Sequence, residues 1–189
     1  LPDLHKCLPF AKPTCARAAA VLAAFRHTGR DISWTPKGRL ASFPDIGFDP
    51  EVFSSDRARE PFAGTGEKTF LYAGRLVPYK VPEVVVRAFV GDPVLRQHRL
   101  RVIGEGPERA RIEAMAREAG ALDRVSFEGN KPQAEVAAAM RLADAFVFPS
   151  IRELGAGVVI EAMATGTLCI VTDYGAPGDL VAEGRGVAI

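Results

Sequence analysis

The chain has 189 residues, 48% hydrophobic and 25% charged, which is ordinary for a soluble globular protein. Its formal net charge is +1, so nothing marks a nucleic-acid binder or a polybasic membrane surface. No apolar run reaches the roughly 20 residues that a membrane helix needs, and residues 1–13 lack the apolar core of a signal peptide.

The three cysteines predict a reducing compartment. Cys7, Cys15 and Cys169 are far apart and form no C-x-x-C pair, so we interpret them as free thiols rather than disulfides or zinc ligands. We expect a cytoplasmic protein, with a peripheral position at the inner face of the membrane as a further expectation for the full-length protein. Because the chain lacks an initiator Met and stops at "GRGVAI", where a strand is starting, we expect a fragment of a longer protein.

The first 66 residues differ in character from the rest. The segment "CARAAAVLAAFRH" predicts a short alanine-rich helix, and a stretch rich in Pro, Gly and Asp follows it. The segment "PFAGTGEK" is typical of a linker. We therefore expect a boundary at residue 66, with a compact domain over residues 67–189.

From about Phe70, apolar runs alternate with amphipathic segments. The predicted strands are "TFLYAG", "LRVIGEG", "RVSFEG", "DAFVFPS" and "LCIVTD". The predicted helices are "VPEVVVRAFVG", "PERARIEAMAREAGA", "QAEVAAAMRLA", "GVVIEAMATG" and "GDLVAEG", the first two opening at Pro82 and Pro107. This alternation predicts an α/β fold, a Rossmann-like doubly wound domain with a parallel sheet covered on both faces.

In such sheets, ligands bind beyond the carboxyl ends of the strands. Two cations, Arg75 and Lys80, follow the first strand, and such a pair suits a diphosphate, although two solvated surface charges remain the alternative. The second strand ends in "GEGPER", with Gly104 and Gly106. We interpret this as a tight strand-to-helix turn that also lets a ligand come close. NAD binding stays open as a weaker alternative, because Arg109 stands where the dinucleotide fingerprint needs a third glycine.

Two carboxylates flank a loop of small residues after the fourth strand. The loop residues Gly155, Ala156 and Gly157 precede a helix whose first amides can bind an anion. Glu153 and Glu161 can accept hydrogen bonds from vicinal hydroxyls of a ribose or hexose. The pattern predicts a site for a nucleoside diphosphate sugar; the alternative is that Glu161 complements the helix dipole and Glu153 is a solvated loop acid.

The order of these motifs resembles a known family. The segments "GRLVPYK", "VIGEGPERARIEAMA", "RVSFEGNKPQAEVAAAMRLADAFVFPS" and "RELGAGVVIEAMATG" are similar to the C-terminal domain of retaining glycosyltransferases with the GT-B fold, of the family-4 type (glycosyl transferases group 1). The resemblance covers about residues 66–189. It implies two Rossmann-like domains with the active site between them, the C-terminal one holding the nucleotide-sugar donor.

The resemblance also assigns roles to residues. Arg75 and Lys80 would contact the diphosphate and stabilise the leaving group, Glu153 would contact the transferred sugar, and these three form the catalytic set. Glu161 would bind the ribose. The remaining donor-binding residues are Gly74, Gly104, Gly106, Asn130, Lys131, Gly155, Ala156, Gly157 and Val158, with Asn130 and Lys131 against the base. The donor would be of the UDP or GDP type, with no metal and no other cofactor, and the hexose would pass with retention to an unidentified sugar, lipid or polysaccharide acceptor.

The chain departs from this family in two respects. The loop reads "ELGAG" where the family often has "EGFG" or "EFGGG", so Leu154 and Ala156 bear on the identity of the sugar. Residues 1–66 correspond only to the end of the N-terminal domain and the interdomain linker, so we expect the fragment alone to be inactive. His5, His27 and His98 match no catalytic motif and are predicted to be surface or linker residues. A nucleotide-binding or regulatory module without transferase activity is the alternative function, and a nucleotide-sugar epimerase of the same architecture is another.

Overall fold

A computed structural model describes residues 10–32, 34–36, 38–43, 46–55, 66–153 and 155–189. The chain divides into two compact units, Leu1–Ile46 and Gly47–Ile189. Residues 46–55, which precede the predicted boundary at residue 66, belong almost wholly to the second unit. Phe53 is 1% exposed, and Arg141 donates hydrogen bonds to the carbonyls of Val52 and Ser54 at 3.0 and 3.2 Å. Most of the predicted linker, residues 61–65, lies outside the described residues, as do His5 and Cys7.

The described part of the first unit forms two helices and two strands: α1 (Ala11–Arg17), β1 (Val21–Ala23), α2 (Arg26–Asp31) and β2 (Leu40–Ser42). The prediction of one helix through residues 15–27 is wrong, because β1 lies in its middle and pairs in parallel with β2. The α1 helix ends at Ala18, which is extended, and Arg39 binds the carbonyls of Ala16 and Ala18 at 2.7 and 3.1 Å. Strand pairing and this capping outweigh the helix propensity of the alanines.

The second unit is a parallel sheet covered by helices. Its described strands are β3 (Thr69–Ala73), β4 (Arg99–Ile103), β5 (Val125–Phe127), β6 (Ala145–Phe148), β7 (Leu168–Val171) and β8 (Val187–Ala188), in the order β5-β4-β3-β6-β7-β8. Its described helices are α3 (Pro82–Gly91), α4 (Arg109–Glu118), α5 (Gln133–Leu142), α6 (Gly157–Ala164) and α7 (Gly175–Val181). This arrangement confirms the predicted Rossmann-like fold and its strand positions.

Two helices begin at residues other than those predicted. The α4 helix begins at Arg109 rather than Pro107, since the amide of Glu108 is bound to the carbonyl of Leu76 at 3.0 Å. The α7 helix begins at Gly175, earlier than predicted. The valine-rich α3 forms despite poor local propensity because Val85, Val86 and Phe89 are buried.

The core lies on both faces of the central strands. Successive residues of β3, Leu71, Tyr72 and Ala73, are at most 2% exposed, as expected for a sheet covered on both sides. The chain runs from β3 outward to β4 and β5 and then returns to β6 on the other side of β3. The strand order therefore reverses between β3 and β6, and a ligand crevice is expected where their carboxyl ends meet.

Candidate functional site

The loop that follows β3 is tied to the loop that follows β4. The amides of Gly74 and Leu76 donate to the carbonyls of Ile103 and Glu105 at 3.0 and 2.9 Å. A β carbon on Gly104 would lie 2.0 Å from the carbonyl oxygen of Gly74, and one on Gly106 would lie 2.3 Å from that of Leu76. Both glycines are therefore needed for backbone-to-backbone contact, which supports the interpretation of "GEGPER" as a tight turn.

An open cleft of about 250 Å³ lies at the carboxyl ends of β3 and β4, beside the start of α6. Its polar lining residues are Arg75, Asn130, Lys131, Gln133 and Glu161, and the others are Phe53, Ala73, Gly74, Ile103, Gly104, Val136 and Val158. Seven residues of the predicted site thus line one cleft: Gly74, Arg75, Gly104, Asn130, Lys131, Val158 and Glu161.

Sequence reasoning missed part of this wall. Phe53 lies in a segment that was interpreted as linker, and Val136 is on the inward face of α5. Gln133 stands at the first position of α5, directly after the strand-end segment "EGNKP", and this position in the sequence is the signal that could have identified it.

Glu161 is the acidic group on the wall of this cleft. Its side chain is half-buried, and burial raises the pKa of its carboxyl group above the ordinary value. Among the residues that the structure describes, no hydrogen bond or ion pair engages this carboxylate. A partly desolvated carboxylate that no described residue binds is suited to accept hydrogen bonds from a ligand.

Lys80 and Glu153, two further residues of the predicted site, bind each other. Lys80 Nζ lies 2.7 Å from Glu153 Oε1, and the two side chains are 14% and 13% exposed. Ser150 Oγ donates to the same carboxylate oxygen at 3.0 Å, and the ammonium group lies 4.9 Å from the centre of the Phe148 ring. Neither residue lines the cleft, but a β carbon on Gly74 would lie 3.8 Å from Lys80 Cδ, so the ion pair is next to it.

The turn before α6 has an unusual backbone. Ala156, the residue that precedes the helix, is 3% exposed and left-handed, with φ 53° and ψ 44°. Gly155 is also buried. Among the described residues of the loop and of the first turn of α6, Val158 is the one that lines the cleft. The N-terminus of α6 still brings its positive dipole end to the cleft wall. Leu154 lies outside the described residues.

Two tyrosines hold Arg75. Arg75 Nη2 donates to Tyr79 Oη at 2.6 Å, and Tyr72 Oη donates to the backbone carbonyl of Arg75 at 3.2 Å. Burial raises the pKa of Tyr72, which keeps its phenol protonated as a donor. The backbone carbonyl of Tyr79 accepts from Ile151 N at 3.0 Å, so it is fixed to the loop after β6. Ser150 Oγ lies 3.3 Å from the same carbonyl and shares its single proton with Glu153.

Three further predictions concern a histidine, metal binding and membrane-spanning helices. His98 Nδ1 accepts a hydrogen bond from Lys68 N at 3.3 Å, so it supports the start of β3, at the edge of the sheet opposite the cleft. Within the described ranges, no group of three or more His, Cys, Asp or Glu side chains is arranged to hold a metal ion. Over the same ranges, every helix is too short or too polar to cross a membrane.

Comparison with known proteins shows the family to which the chain belongs. The family model described as "Glycosyl transferases group 1" matches residues 54–189. A D-inositol 3-phosphate glycosyltransferase of Thermomonospora curvata is 36% identical over 125 residues, which are 61% of this chain and 29% of that protein. The enzyme of the same name from Stackebrandtia nassauensis is 33% identical over 186 residues, 91% of this chain and 40% of that protein.

Solved structures have the same fold. The crystal structure of Anabaena HepE in complex with UDP and glucose superposes with a TM-score of 0.72 at 19% identity, covering 97% of this chain and 53% of that one. The chain spans between 29% and 40% of the length of the two curated relatives described above.

Proposed function

Because the chain belongs to the glycosyl transferases group 1 family, we propose that its second unit is the donor-binding domain of a retaining, metal-independent hexosyltransferase of the family-4 type. The observation that carries this proposal is the cleft at the carboxyl ends of β3 and β4. It joins the guanidinium of Arg75 and the carboxylate of Glu161, which has no hydrogen-bond or ion-pair partner among the described residues, on glycine-lined walls. A cation for phosphates and a carboxylate for hydroxyls are what a nucleoside diphosphate requires.

The donor would lie along this cleft. Glu161 would accept hydrogen bonds from the ribose hydroxyls, while Asn130, Lys131 and Gln133 would face the base. Arg75 and the N-terminus of α6 would meet the diphosphate. The UDP found in the complex of Anabaena HepE supports a UDP-type donor ahead of a GDP-type one.

The transferred hexose would lie toward the Lys80–Glu153 pair. Lys80 would stabilise the charge that develops on the leaving diphosphate, and Glu153, bound by Lys80 and Ser150, would hold the sugar hydroxyls. The leaving phosphate would accept the proton of the acceptor hydroxyl on the same face of the sugar, which gives retention. A first GT-B domain in a longer protein would supply the acceptor site, so the chain alone would be inactive. The longer protein would act in the cytoplasm or at the inner face of the membrane.

A thermal-shift panel tests donor binding. It contains UDP, GDP, ADP and dTDP, each free and as a sugar conjugate, with NAD as the control ligand. A ligand at about 100 times its dissociation constant adds roughly 2.7 kcal/mol to the free energy of unfolding, which is readily measured. Stabilisation by UDP and UDP-sugars that is lost in Glu161→Ala supports the proposal; stabilisation by NAD alone, or by nothing, contradicts it.

Transferase activity is a separate question from binding. The mutual pairing of Lys80 and Glu153 also suits a domain that binds a nucleotide without turnover, because two of the three catalytic candidates already bind each other. Release of UDP from UDP-glucose in the presence of acceptors, measured on a protein that includes the first domain, separates the two functions. Turnover excludes the nucleotide-binding module, and binding without turnover excludes the transferase.

A further inference from the structure

The guanidinium of Arg75 lies at the wall of the cleft, yet its residue is exposed and its side chain is long. Such a side chain normally samples many rotamers and loses that freedom when it binds a phosphate. Here the phenol of Tyr79 accepts a hydrogen bond from Nη2 at 2.6 Å. The guanidinium therefore has a hydrogen-bond partner in the protein in the absence of a ligand.

Tyr79 is itself held in place. It lies in a short 3₁₀ turn, Pro78–Lys80, and its carbonyl accepts from the amide of Ile151. The next residue, Lys80, is bound to Glu153, and Val81 has a left-handed backbone with φ 51°. The phenol is thus presented from a rigid turn at the junction of the loops after β3 and β6.

We propose that Tyr79 is a positioning residue that orients Arg75 toward the diphosphate of the donor. Its hydroxyl oxygen accepts a hydrogen bond from one Nη2–H group, which leaves the other guanidinium N–H groups for the phosphate oxygens. The contribution is preorganisation: the cost of ordering the arginine is met in the unliganded protein. This inference rests on the proposed donor site and names a determinant of its affinity.

The variant Tyr79→Phe removes the hydroxyl and keeps the ring and the backbone contacts. We expect it to weaken UDP binding about threefold to tenfold, the effect of losing one preordered side chain. Uridine, which lacks phosphates, should bind as tightly as to the unchanged protein. The measurement is isothermal titration calorimetry with UDP and uridine, and Tyr174→Phe, a change at an exposed tyrosine, is the matched control.

A double-mutant cycle shows whether Tyr79 acts through Arg75. In the Arg75→Ala background, Tyr79→Phe should cause no further loss of UDP affinity. Equal losses for UDP and uridine, or the same loss with and without Arg75, would overturn the inference and indicate a general structural role. Unchanged UDP affinity in Tyr79→Phe would overturn it as well. Failure of the unsubstituted chain to bind UDP overturns the donor site and this inference with it.

Discussion

Lys80 and Glu153 join the loop after β3 to the loop after β6, at the point where the strand order reverses. Nζ and Oε1 are 2.7 Å apart, and the residues are separated by 73 positions in the chain. The family resemblance implies separate roles for the two side chains, one at the diphosphate and one at the sugar. In the structure each is the other's partner, so the pair also holds the crevice together.

Removal of one member of this pair should therefore be costly. In Lys80→Met, Glu153 keeps a largely buried charge without its partner, and we expect the free energy of unfolding to fall by about 3 kcal/mol. In Lys80→Met/Glu153→Leu both charges are gone, so most of that loss should be recovered. Urea unfolding with an unchanged m-value measures both effects.

The exposed pair Arg117–Glu113 provides the control for this experiment. Its side chains are 60% and 35% exposed at an N–O distance of 3.3 Å. Arg117→Met should cost less than about 1 kcal/mol, as surface ion pairs do. A double variant at positions 80 and 153 as unstable as the single one would contradict the buried-pair interpretation.

Glu161→Gln should stabilise the unliganded protein at neutral pH. Burial raises the pKa of this carboxyl in the folded state, so the folded protein binds the proton more readily than the unfolded chain does. The contribution of Glu161 to the free energy of unfolding is then greatest at a pH below the ordinary pKa of a glutamate, and it falls as the pH rises through the raised pKa. The glutamine variant should lose that part of the pH dependence and unfold at a higher temperature at pH 7.

The same substitution should weaken UDP binding by roughly tenfold or more, because hydrogen bonds to a charged group contribute about 1.5–3 kcal/mol each. Thermal unfolding from pH 4 to pH 8, with and without UDP, measures both effects. Glu118→Gln, on the exposed side of α4, is the control and should change neither. Lower stability together with unchanged UDP affinity would show that Glu161 has a structural role instead.

The fold of the second unit follows from local patterns. Its strands are short apolar runs between glycines and polar turns, and such runs predict strands that are buried on both faces. Once the sheet is parallel, residues such as Arg75 and Asn130 must meet at one edge, which is why much of the cleft was predictable. The N-terminal segment was not, because the alanines around Val21–Ala23 favour a helix and only pairing with Leu40–Ser42 reverses that preference.

Contacts between distant side chains could not be predicted. Nothing near Phe53 in the sequence marks it as a cleft residue, since its burial depends on packing in the second unit. The pairing of Lys80 with Glu153 and the contact of Arg75 with Tyr79 depend on rotamers that alternation and spacing do not specify.

Ala156→Gly should stabilise the protein by up to about 1 kcal/mol. A left-handed backbone costs a residue with a β carbon roughly 1–2 kcal/mol, and glycine recovers this while losing some chain entropy. The expected rise of about 2–4 °C in the unfolding temperature is measurable by calorimetry. The same change at the exposed Ala138 inside α5 should instead destabilise by about 1 kcal/mol. Destabilisation at both positions would contradict the strained turn.

Gly104→Ala should be among the most damaging single changes in the chain. Its β carbon would lie 2.0 Å from the carbonyl oxygen of Gly74, and its φ of 133° is unfavourable for alanine. Either the strand ends separate or the cleft wall shifts, so we expect a loss of about 3 kcal/mol or more and loss of UDP binding. Gly91→Ala, at the end of α3 with open space around it, is the control and should be neutral or stabilising by about 0.5 kcal/mol. If Gly104→Ala kept the unfolding midpoint of the unchanged protein, the close contact between the loops after β3 and β4 would be wrong, and the cleft wall that depends on it would need another explanation.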